Sequence, residues 1–383
     1  MDVRELQNHL KTLAALQETP APLISCYLDI GNLIATYRSA FDHRIQILSR
    51  SVPAAGLPDF AAAVARIDQF LQSTLEPGTR GVAIFSRAGN RPFFCALQFH
   101  VPLPNWIVIG TTPNLYHLVE LRDNYDRYVI LIAGESSARI IAVNLGGIGE
   151  QIWNVRPELR RRSGREWGRD DLKHYEFERS QQFIHEQIRV LDRLINAGGY
   201  AHLVVAGNPR ATAAVRRSLP KSLASKLVDI VPASCGDRLS DIVQSTLRTF
   251  LQHEELESRA IADKLVSRIH AHGLAVAGTG PTLKALRNAQ GDFLVILKSY
   301  NPGLARECRR CLHLESETSG PLLCRSCGSD SLRELDLRAE MVRLAEISRC
   351  RIEVVEKSDV LWALGGVGCL LRFTPEALAP LAA

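Results

Sequence analysis

Four of the nine cysteines stand in two pairs with the spacing of metal ligands. Cys308 and Cys311 flank two arginines, and Cys324 and Cys327 follow after a spacer of 12 residues. Each Cys-x-x-Cys turn can direct both sulfurs at one ion, and two such turns complete the tetrahedron of thiolates that Zn²⁺ prefers. A redox dithiol is the alternative for a single pair, but two pairs at this spacing favour zinc. Because four protein ligands leave no open position, we expect a structural zinc ion.

The other five cysteines are isolated and lie mostly in apolar runs, which is typical of small buried side chains. They are Cys26, Cys95, Cys235, Cys350 and Cys369. The chain opens with Met-Asp-Val-Arg-Glu, which lacks the basic and apolar regions of a secretory signal. No run approaches the ~18 apolar residues of a membrane span. We therefore expect a cytoplasmic protein with no membrane partner and no disulfide framework.

A second group of residues suited to chemistry lies in the loop from Arg156 to Asp171, which holds six arginines, two glycines and one tryptophan. The chain carries a net charge of +5, yet residues 151–226 hold 15 Lys and Arg against 8 Asp and Glu. Arginine offers planar, forked donors to phosphates, glycine permits close backbone approach, and Trp167 can stack on a base. A solvated face or a structureless connection is the alternative. The placement between a strand and a long helix favours a nucleic-acid contact.

No catalytic motif accompanies these two groups. The glycine-rich turns at 146–149 and 365–368 lack a dinucleotide fingerprint or a phosphate-binding Lys-Ser/Thr, and no Gly-x-Ser-x-Gly elbow is present. The histidines at 174, 185, 202 and 253 show no metal-ligand spacing. The sequence therefore predicts no catalytic residue.

The hydrophobic pattern predicts an α/β protein of three domains that position these groups. Residues 1–124 form an α+β domain with a helix after Asp2, a strand at 22–30, two helices and three strands of an antiparallel sheet. Residues 125–265 open with a hairpin at 128–133 and 138–143 and continue as an α/β domain whose last helix covers 239–253. Residues 266–383 form an α/β sandwich with an inserted zinc ribbon at 305–330, followed by a helix at 332–347.

Several segments, taken in order, resemble the archaeal and eukaryotic peptide-chain release factor family, which includes Pelota, and especially its bacterial branch. Residues 274–280 and 282–296, together with 365–373, are similar to the C-terminal domain of that family. The zinc ribbon is inserted where archaeal members carry a metal-binding minidomain. Ile24-Ser-Cys-Tyr-Leu-Asp29 resembles the opening strand of the bacterial members. The resemblance implies a ribonuclease-H-like middle domain and an N-terminal domain for the decoding region of the ribosomal A site.

The sequence departs from that family at two functional motifs. It contains no Gly-Gly-Gln, the tripeptide that release factors place before the long helix of the middle domain, and no Asn-Ile-Lys-Ser. The resemblance therefore implies a non-catalytic factor that binds the ribosomal A site in hibernation or rescue. It implies elongation factor Tu or another translational GTPase as a partner, and a monomer. The candidate rRNA-binding residues are Arg160, Arg161, Arg162, Arg165, Trp167, Arg169 and Lys173.

Two enzymatic alternatives remain open at this point. One is a peptidyl-tRNA hydrolase that uses the loop Ser163-Gly-Arg-Glu-Trp-Gly168 instead of Gly-Gly-Gln, with Glu166 as the only plausible general base. The other is a nuclease, because ribonuclease-H-like domains also occur in nucleic-acid hydrolases. That chemistry needs clustered carboxylates at strand ends, and the strands at 128–133 and 138–143 contain none.

Overall fold

The computed structural model describes residues 1–31, 34–134, 137–155, 169–315 and 323–373. The chain divides into two compact units. One combines Met1–Asn124 with Glu255–Ala383, and the other is Tyr125–Glu254. The first and third predicted domains thus share one unit, and their division from each other stays a prediction. Within the described ranges, no helix combines the length and apolar character that a membrane crossing requires.

The first part of the larger unit is an antiparallel sheet with helices on its faces. Its helices are α1 (Val3–Ala14), α2 (Ile34–Ser49), α3 (Leu57–Ser73) and α4 (Tyr116–Asn124), and its strands are β1 (Leu23–Asp29), β2 (Gly81–Arg87), β3 (Phe93–Phe99) and β4 (Trp106–Gly110). The strand order is β3-β2-β1-β4 and each neighbouring pair is antiparallel, as the sequence predicted.

Alternation along β1 explains how this sheet is covered on both faces. Ile24, Cys26 and Leu28 point to one face, where they pack with residues of α2 and α3. Tyr27 points to the opposite face and donates a 2.6 Å hydrogen bond to the Asn114 carbonyl. α1 begins at the predicted cap, because Asp2 and Glu5 exchange backbone-to-carboxylate hydrogen bonds of 2.8 and 3.0 Å.

The smaller unit contains a five-stranded sheet between helices. Its strands are β5 (Tyr128–Ala133), β6 (Ser137–Asn144), β7 (Gly147–Val155), β8 (His202–Gly207) and β9 (Leu227–Pro232), and its helices are α5 (Arg169–Gly198), α6 (Pro209–Ser218), α7 (Lys221–Ala224) and the first half of α8 (Leu239–His270). The order is β7-β6-β5-β8-β9, with β5, β6 and β7 antiparallel and β5, β8 and β9 parallel. This is the order expected of the predicted ribonuclease-H-like domain.

The two faces of this sheet again follow the period of two. On one face, Val129 and Leu131 pack against α5 and α6. Tyr128, Ile130 and Ile132 pack against the start of α8, and the Tyr128 and Phe250 rings stack with centroids 4.6 Å apart. Because apolar residues occupy both faces of the central strands, the sheet is buried on both sides.

The last part of the chain forms a mixed sheet and a small separate sheet. Its strands are β10 (Ala275–Ala277), β11 (Gly291–Leu297), β12 (Leu304–Cys308), β13 (Leu314–Glu315), β14 (Leu332–Asp336), β15 (Arg351–Val355) and β16 (Val367–Leu371), and its helices are α9 (Thr279–Arg287), α10 (Leu337–Ile347) and α11 (Asp359–Ala363). The larger sheet has the order β10-β16-β11-β15, and the smaller has the order β13-β12-β14. The predicted mixed α/β class is therefore confirmed.

Two predicted helices are wrong in their bounds, and α4 was not predicted. Residues 332–336 are strand β14, because they complete the small sheet by pairing antiparallel with β12. The helix then starts at Leu337, where the Asp336 side chain accepts the Ala339 N–H. The helix predicted for 239–253 continues to His270 as α8, and the boundary between the units falls inside it.

Candidate metal centre

The small sheet positions the first cysteine pair. Cys308 is the last residue of β12, which pairs with β13 on one side and β14 on the other. The chain turns at once after Cys308 and returns as β13 from Leu314. This turn contains Cys311, so both sulfurs of the pair lie at one end of the small sheet.

The two Cys-x-x-Cys turns have the same backbone hydrogen-bond pattern. In the first, the Cys308 carbonyl accepts a hydrogen bond from the Leu312 N–H at 2.9 Å, and the Cys308 N–H donates to the His313 carbonyl at 3.0 Å. In the second, the Cys324 carbonyl accepts a hydrogen bond from the Gly328 N–H at 2.8 Å, and the Cys324 N–H donates to the Ser329 carbonyl, also at 2.8 Å. The repeated pattern makes the two turns equivalent, and each directs its cysteine pair toward the other.

Each turn closes through a residue in the left-handed backbone region. Gly328 has φ +71°, which glycine adopts at no steric cost, and Leu312 has φ +60° at the matching position of the first turn. The second turn is tied to β13 because the Arg325 N–H donates a 2.9 Å hydrogen bond to the buried Glu315 carboxylate. Local backbone geometry therefore brings the pairs together from opposite sides.

The sulfur atoms stand at distances that suit one tetrahedral ion. The Sγ atoms of Cys308 and Cys327 are 3.5 Å apart, as are those of Cys311 and Cys324, and all four sulfurs lie within 4.8 Å of one another. A zinc ion with Zn–S bonds of about 2.3 Å places its sulfurs about 3.8 Å apart. A disulfide bond needs about 2.05 Å, and all four cysteines are free. The donor set and its spacing therefore fit zinc.

The pKa values of two of the thiols, Cys308 and Cys327, are shifted in opposite directions. Backbone hydrogen bonds, first from Cys311, lower the pKa of the Cys308 thiol to about 6, so this sulfur favours the thiolate. A backbone hydrogen bond at Ser329 lowers the pKa of Cys327, but its sulfur neighbours outweigh this and raise it to about 12. Cys308 and Cys327 thus differ in how readily they ionise, and a divalent cation among the four sulfurs would compensate the negative charge of thiolates.

A buried ionic network, which the sequence analysis did not identify, lies directly behind the metal site. Glu307 precedes Cys308, is fully buried, and forms ion pairs with Arg287 and with Arg333, the latter at 2.6 Å. Arg333 continues to Glu340 at 3.3 Å. It also pairs with Glu18. The network joins β12 and β14 to α9, α10 and the segment after α1.

The charges within this network are balanced by pairing. Burial opposes ionisation of Glu340, but Arg343, Arg333 and Arg287 outweigh it and lower the pKa of this carboxyl. Glu18 also accepts a hydrogen bond of 3.0 Å from Arg309, which is one of the two arginines between Cys308 and Cys311. The first Cys-x-x-Cys turn is therefore held by an acidic residue from the N-terminal part of the same unit.

The predicted rRNA-binding residues lie largely outside the described part of the chain. Five of them fall within residues 156–168, which the structure does not describe: Arg160, Arg161, Arg162, Arg165 and Trp167. Arg169 and Lys173 lie in the first turns of α5, where only the backbone is described. The contact of these seven residues with RNA stays a prediction.

The sequence analysis missed an aromatic and cationic pair on the two neighbouring strands that precede this loop, β6 and β7. The Trp153 side chain, on β7, is 45% exposed, and the guanidinium of Arg139 on β6 lies 3.4 Å from its ring centroid. Such an Arg–Trp stack offers a flat, positively charged surface of the kind on which nucleic-acid bases stack. The alternation of side chains along β7 could have indicated this pair. Ile152 packs against the core, so Trp153, the next residue, faces the other side of the sheet.

A comparison with protein-family models finds a match in the middle of the chain. Residues 113–251 match bacterial archaeo-eukaryotic release factor family 10. The matched segment covers the whole of the smaller unit except its last three residues, and it includes the arginine-rich loop. A search among curated protein sequences finds no match. The resemblance recognised in the sequence is thereby confirmed for the segment that carries the loop.

Solved structures of translation factors are similar to the chain over most of its length. The archaeal translation termination factor aRF1 is 16% identical, with 97% of this chain and 99% of that chain covered and a TM-score of 0.27. Archaeoglobus fulgidus Pelota is 13% identical over 97% and 92% of the two chains, with a TM-score of 0.37. S. cerevisiae Dom34, described as a translation termination-like factor, is 11% identical over 77% and 81%, with a TM-score of 0.40. These TM-scores are low, so the fold is assigned from the strands and helices of this chain.

Proposed function

We propose that this chain, a member of the archaeo-eukaryotic release factor family over residues 113–251, is a translation factor that binds the ribosomal A site without hydrolysing peptidyl-tRNA. Its role in this proposal is ribosome hibernation or rescue. The observation that carries the proposal is the match of the smaller unit to that family, combined with the loop sequence inside the match. The matched segment includes the loop before the long helix, where release factors carry Gly-Gly-Gln. This chain has other residues in that loop.

The composition of the loop supports binding over hydrolysis. A loop that assists hydrolysis at the peptidyl-transferase centre must be small and leave room for water beside the ester. Arg165, Glu166 and Trp167 are bulky and would fill that space or stack on rRNA bases. Arginine stays protonated at neutral pH and cannot act as a base, and a glutamate carboxylate is a weak one.

The metal centre has a structural role in this proposal. One zinc ion would be held jointly by Cys308, Cys311, Cys324 and Cys327. The ion would cross-link the two cysteine turns and neutralise the charge of the thiolates. Four thiolate ligands leave no position for water or substrate. The ion then fixes the two turns at the end of β12, next to the network around Glu307.

Partner selection follows from the resemblance of the last part of the chain. Residues 274–296 and 365–373 are similar to the C-terminal domain of the family, and we propose that this part contacts a translational GTPase, either elongation factor Tu or another. S. cerevisiae Dom34 is described as interacting with Hbs1, and an archaeal Pelota is described in a ribosome-bound state with ABCE1.

Ribosome co-sedimentation at several salt concentrations tests the binding role of the loop. Replacing Arg160, Arg161 and Arg162 by alanine should lower ribosome affinity, because each arginine neutralises a phosphate of rRNA. The slope of log affinity against log salt should become shallower by about 0.7–0.9 for each phosphate that the variant no longer neutralises.

The control removes equal charge from the same unit. Arg216, Arg217 and Lys221 are exposed on α6 and α7, and their joint replacement by alanine should leave the salt slope near that of the wild type. If the loop variant keeps the wild-type slope, or if the control variant changes it by as much, the loop does not bind rRNA.

A further inference from the structure

A cleft of about 440 Å³ lies in the first part of the larger unit, between the end of α1 and the hairpin that joins β2 to β3. This volume falls within the range of small-ligand sites, about 300–1,000 Å³. No residue of the metal centre lines it, and it lies in a different part of the chain from the arginine-rich loop. Its principal lining residues are Leu16, Gln17, Arg87, Arg91, Pro92 and Phe93.

Arg87 is a buried cation with donors directed into this cleft. The residue is 2% exposed. Its Nε donates to the Arg91 carbonyl at 3.1 Å and its Nη1 donates to the Gln17 carbonyl at 2.9 Å. Among the described residues, its Nη2 has no hydrogen-bond partner. These two carbonyls orient the guanidinium, and they leave N–H groups for a ligand.

The charge of Arg87 has no acidic partner in the described part of the chain, although partly buried guanidinium groups elsewhere in this unit do. Arg333 and Arg343, for example, pair with glutamates. Glu18, the acidic residue that follows Gln17, is engaged by Arg309 and Arg333. Burial, with a smaller contribution from Arg91, lowers the pKa of Arg87. A buried cation without an anion is unfavourable, and an anionic ligand would compensate it.

Arg91 adds a second guanidinium to the same cleft. Its Nη1 donates to the Gln17 side-chain oxygen, so Gln17 contacts both arginines. Arg91 has φ +62°, a left-handed conformation that is strained for a residue with a Cβ. The hairpin therefore holds an arginine at a position where glycine would be the unstrained choice.

We propose that this cleft binds the phosphate of a nucleotide between Arg87 and Arg91. Two guanidinium groups match the charge and the forked acceptor geometry of a terminal phosphate. The apolar wall of Leu16, Pro92 and the Phe93 ring then takes the sugar or the base. The phosphate can belong to a free mononucleotide or to the 5′ end of an RNA chain, since both present the same group. The residues of this site belong to a different unit from the loop proposed to contact rRNA.

Isothermal titration of the full-length protein tests the site with five probes. They are inorganic phosphate, AMP, adenosine, and one RNA trinucleotide with either a 5′-phosphate or a 5′-hydroxyl. The phosphorylated member of each pair should bind at least about tenfold more tightly than its partner, as loss of a charge-assisted hydrogen bond predicts. Preference for AMP assigns a mononucleotide as the ligand, and preference for the 5′-phosphorylated RNA assigns an RNA end.

Two variants and a control complete the test. Arg91→Gly removes one guanidinium and relieves the left-handed strain, so it should fold and lose about tenfold in affinity for the phosphorylated probe. Arg87→Lys keeps the charge but not the fork and should also weaken binding. Arg50→Ala, an exposed arginine of the same unit outside the cleft, should bind as the wild type does. Equal binding of phosphorylated and unphosphorylated probes, or wild-type affinity in Arg91→Gly, would overturn the proposal.

Discussion

Gly328 is the single residue whose backbone most directly controls the second cysteine turn. Its φ of +71° favours glycine, and a Cβ there would meet no atom within 4 Å. Gly328→Ala should therefore cost only the left-handed strain, about 1–2 kcal/mol. We expect zinc affinity to fall by roughly 5- to 30-fold, measured by competition with a chromophoric chelator.

Gly280 provides the matched control, because a Cβ at this position also meets nothing within 4 Å and its backbone is not left-handed. It lies in helix α9, where alanine is favoured over glycine. Gly280→Ala should leave zinc affinity unchanged and should not lower the melting temperature. Wild-type zinc affinity in Gly328→Ala would contradict the assigned turn geometry.

Glu307 should be the most sensitive carboxylate behind the metal centre. Replacing it with glutamine keeps its volume but leaves Arg287 and Arg333 without their shared counter-charge. We expect unfolding free energy to fall by about 3–5 kcal/mol in urea titration, as for other broken buried ion pairs. Glu356→Gln removes one of the two acidic partners of the exposed Lys298, the other being Glu120, and should cost less than about 1 kcal/mol. Similar losses in both variants would show that the network contributes no more than a surface pair.

The cluster of four cysteines could be predicted from sequence, whereas the residues around it could not. Two Cys-x-x-Cys pairs carry their chemistry in their spacing, which is local. Glu307 and Arg87 carry no such signal, because their importance comes from partners brought together by the fold. Arg333 pairs with both Glu307 and Glu18, and the last pair spans 315 positions of the sequence.

At the scale of elements, removal of the metal should loosen the two turns and spare the neighbouring sheet. The small sheet β13-β12-β14 is short, whereas β10-β16-β11-β15 has its own buried core. After chelation, amide exchange should accelerate in residues 308–315 and 323–331. Exchange in β11 and β16 should stay slow, and Cys311→Ser should reproduce the pattern without a chelator. Unchanged exchange in both segments would argue against a structural ion.

Strands and helices with clear periodicity were predicted correctly, and errors occurred where pairing overrides the local pattern. The hairpin of β5 and β6 has two mainly apolar runs separated by a polar turn, so its position was evident. The segment 332–336 continues smoothly into a helical pattern, yet it forms β14 because β12 offers an edge. α8 extends beyond its predicted end because its second half belongs to the other unit, which a single periodic pattern does not reveal.

At the scale of the whole molecule, the order of three domains was predicted from segments that are far apart in sequence, and the division of the larger unit into two of them stays a prediction. The strand order of the smaller unit agrees with the predicted ribonuclease-H-like class, and the family match falls on the same residues. Grouping of the first and last parts into one unit was not predictable, because it depends on contacts such as that between the Val354 N–H and Asp123. No sequence period reports such a contact.

Ribosomes that carry labelled peptidyl-tRNA, with either a stop codon or a sense codon in the A site, allow the most direct measurement. Bound protein and freed peptide are quantified in the same reaction. We predict equal binding to both complexes, weakening with salt, and no peptide release. Glu166→Ala should then behave as the wild type. Binding that requires the stop codon, or peptide release by the wild type that disappears in Glu166→Ala, would contradict the proposal and identify a hydrolase instead.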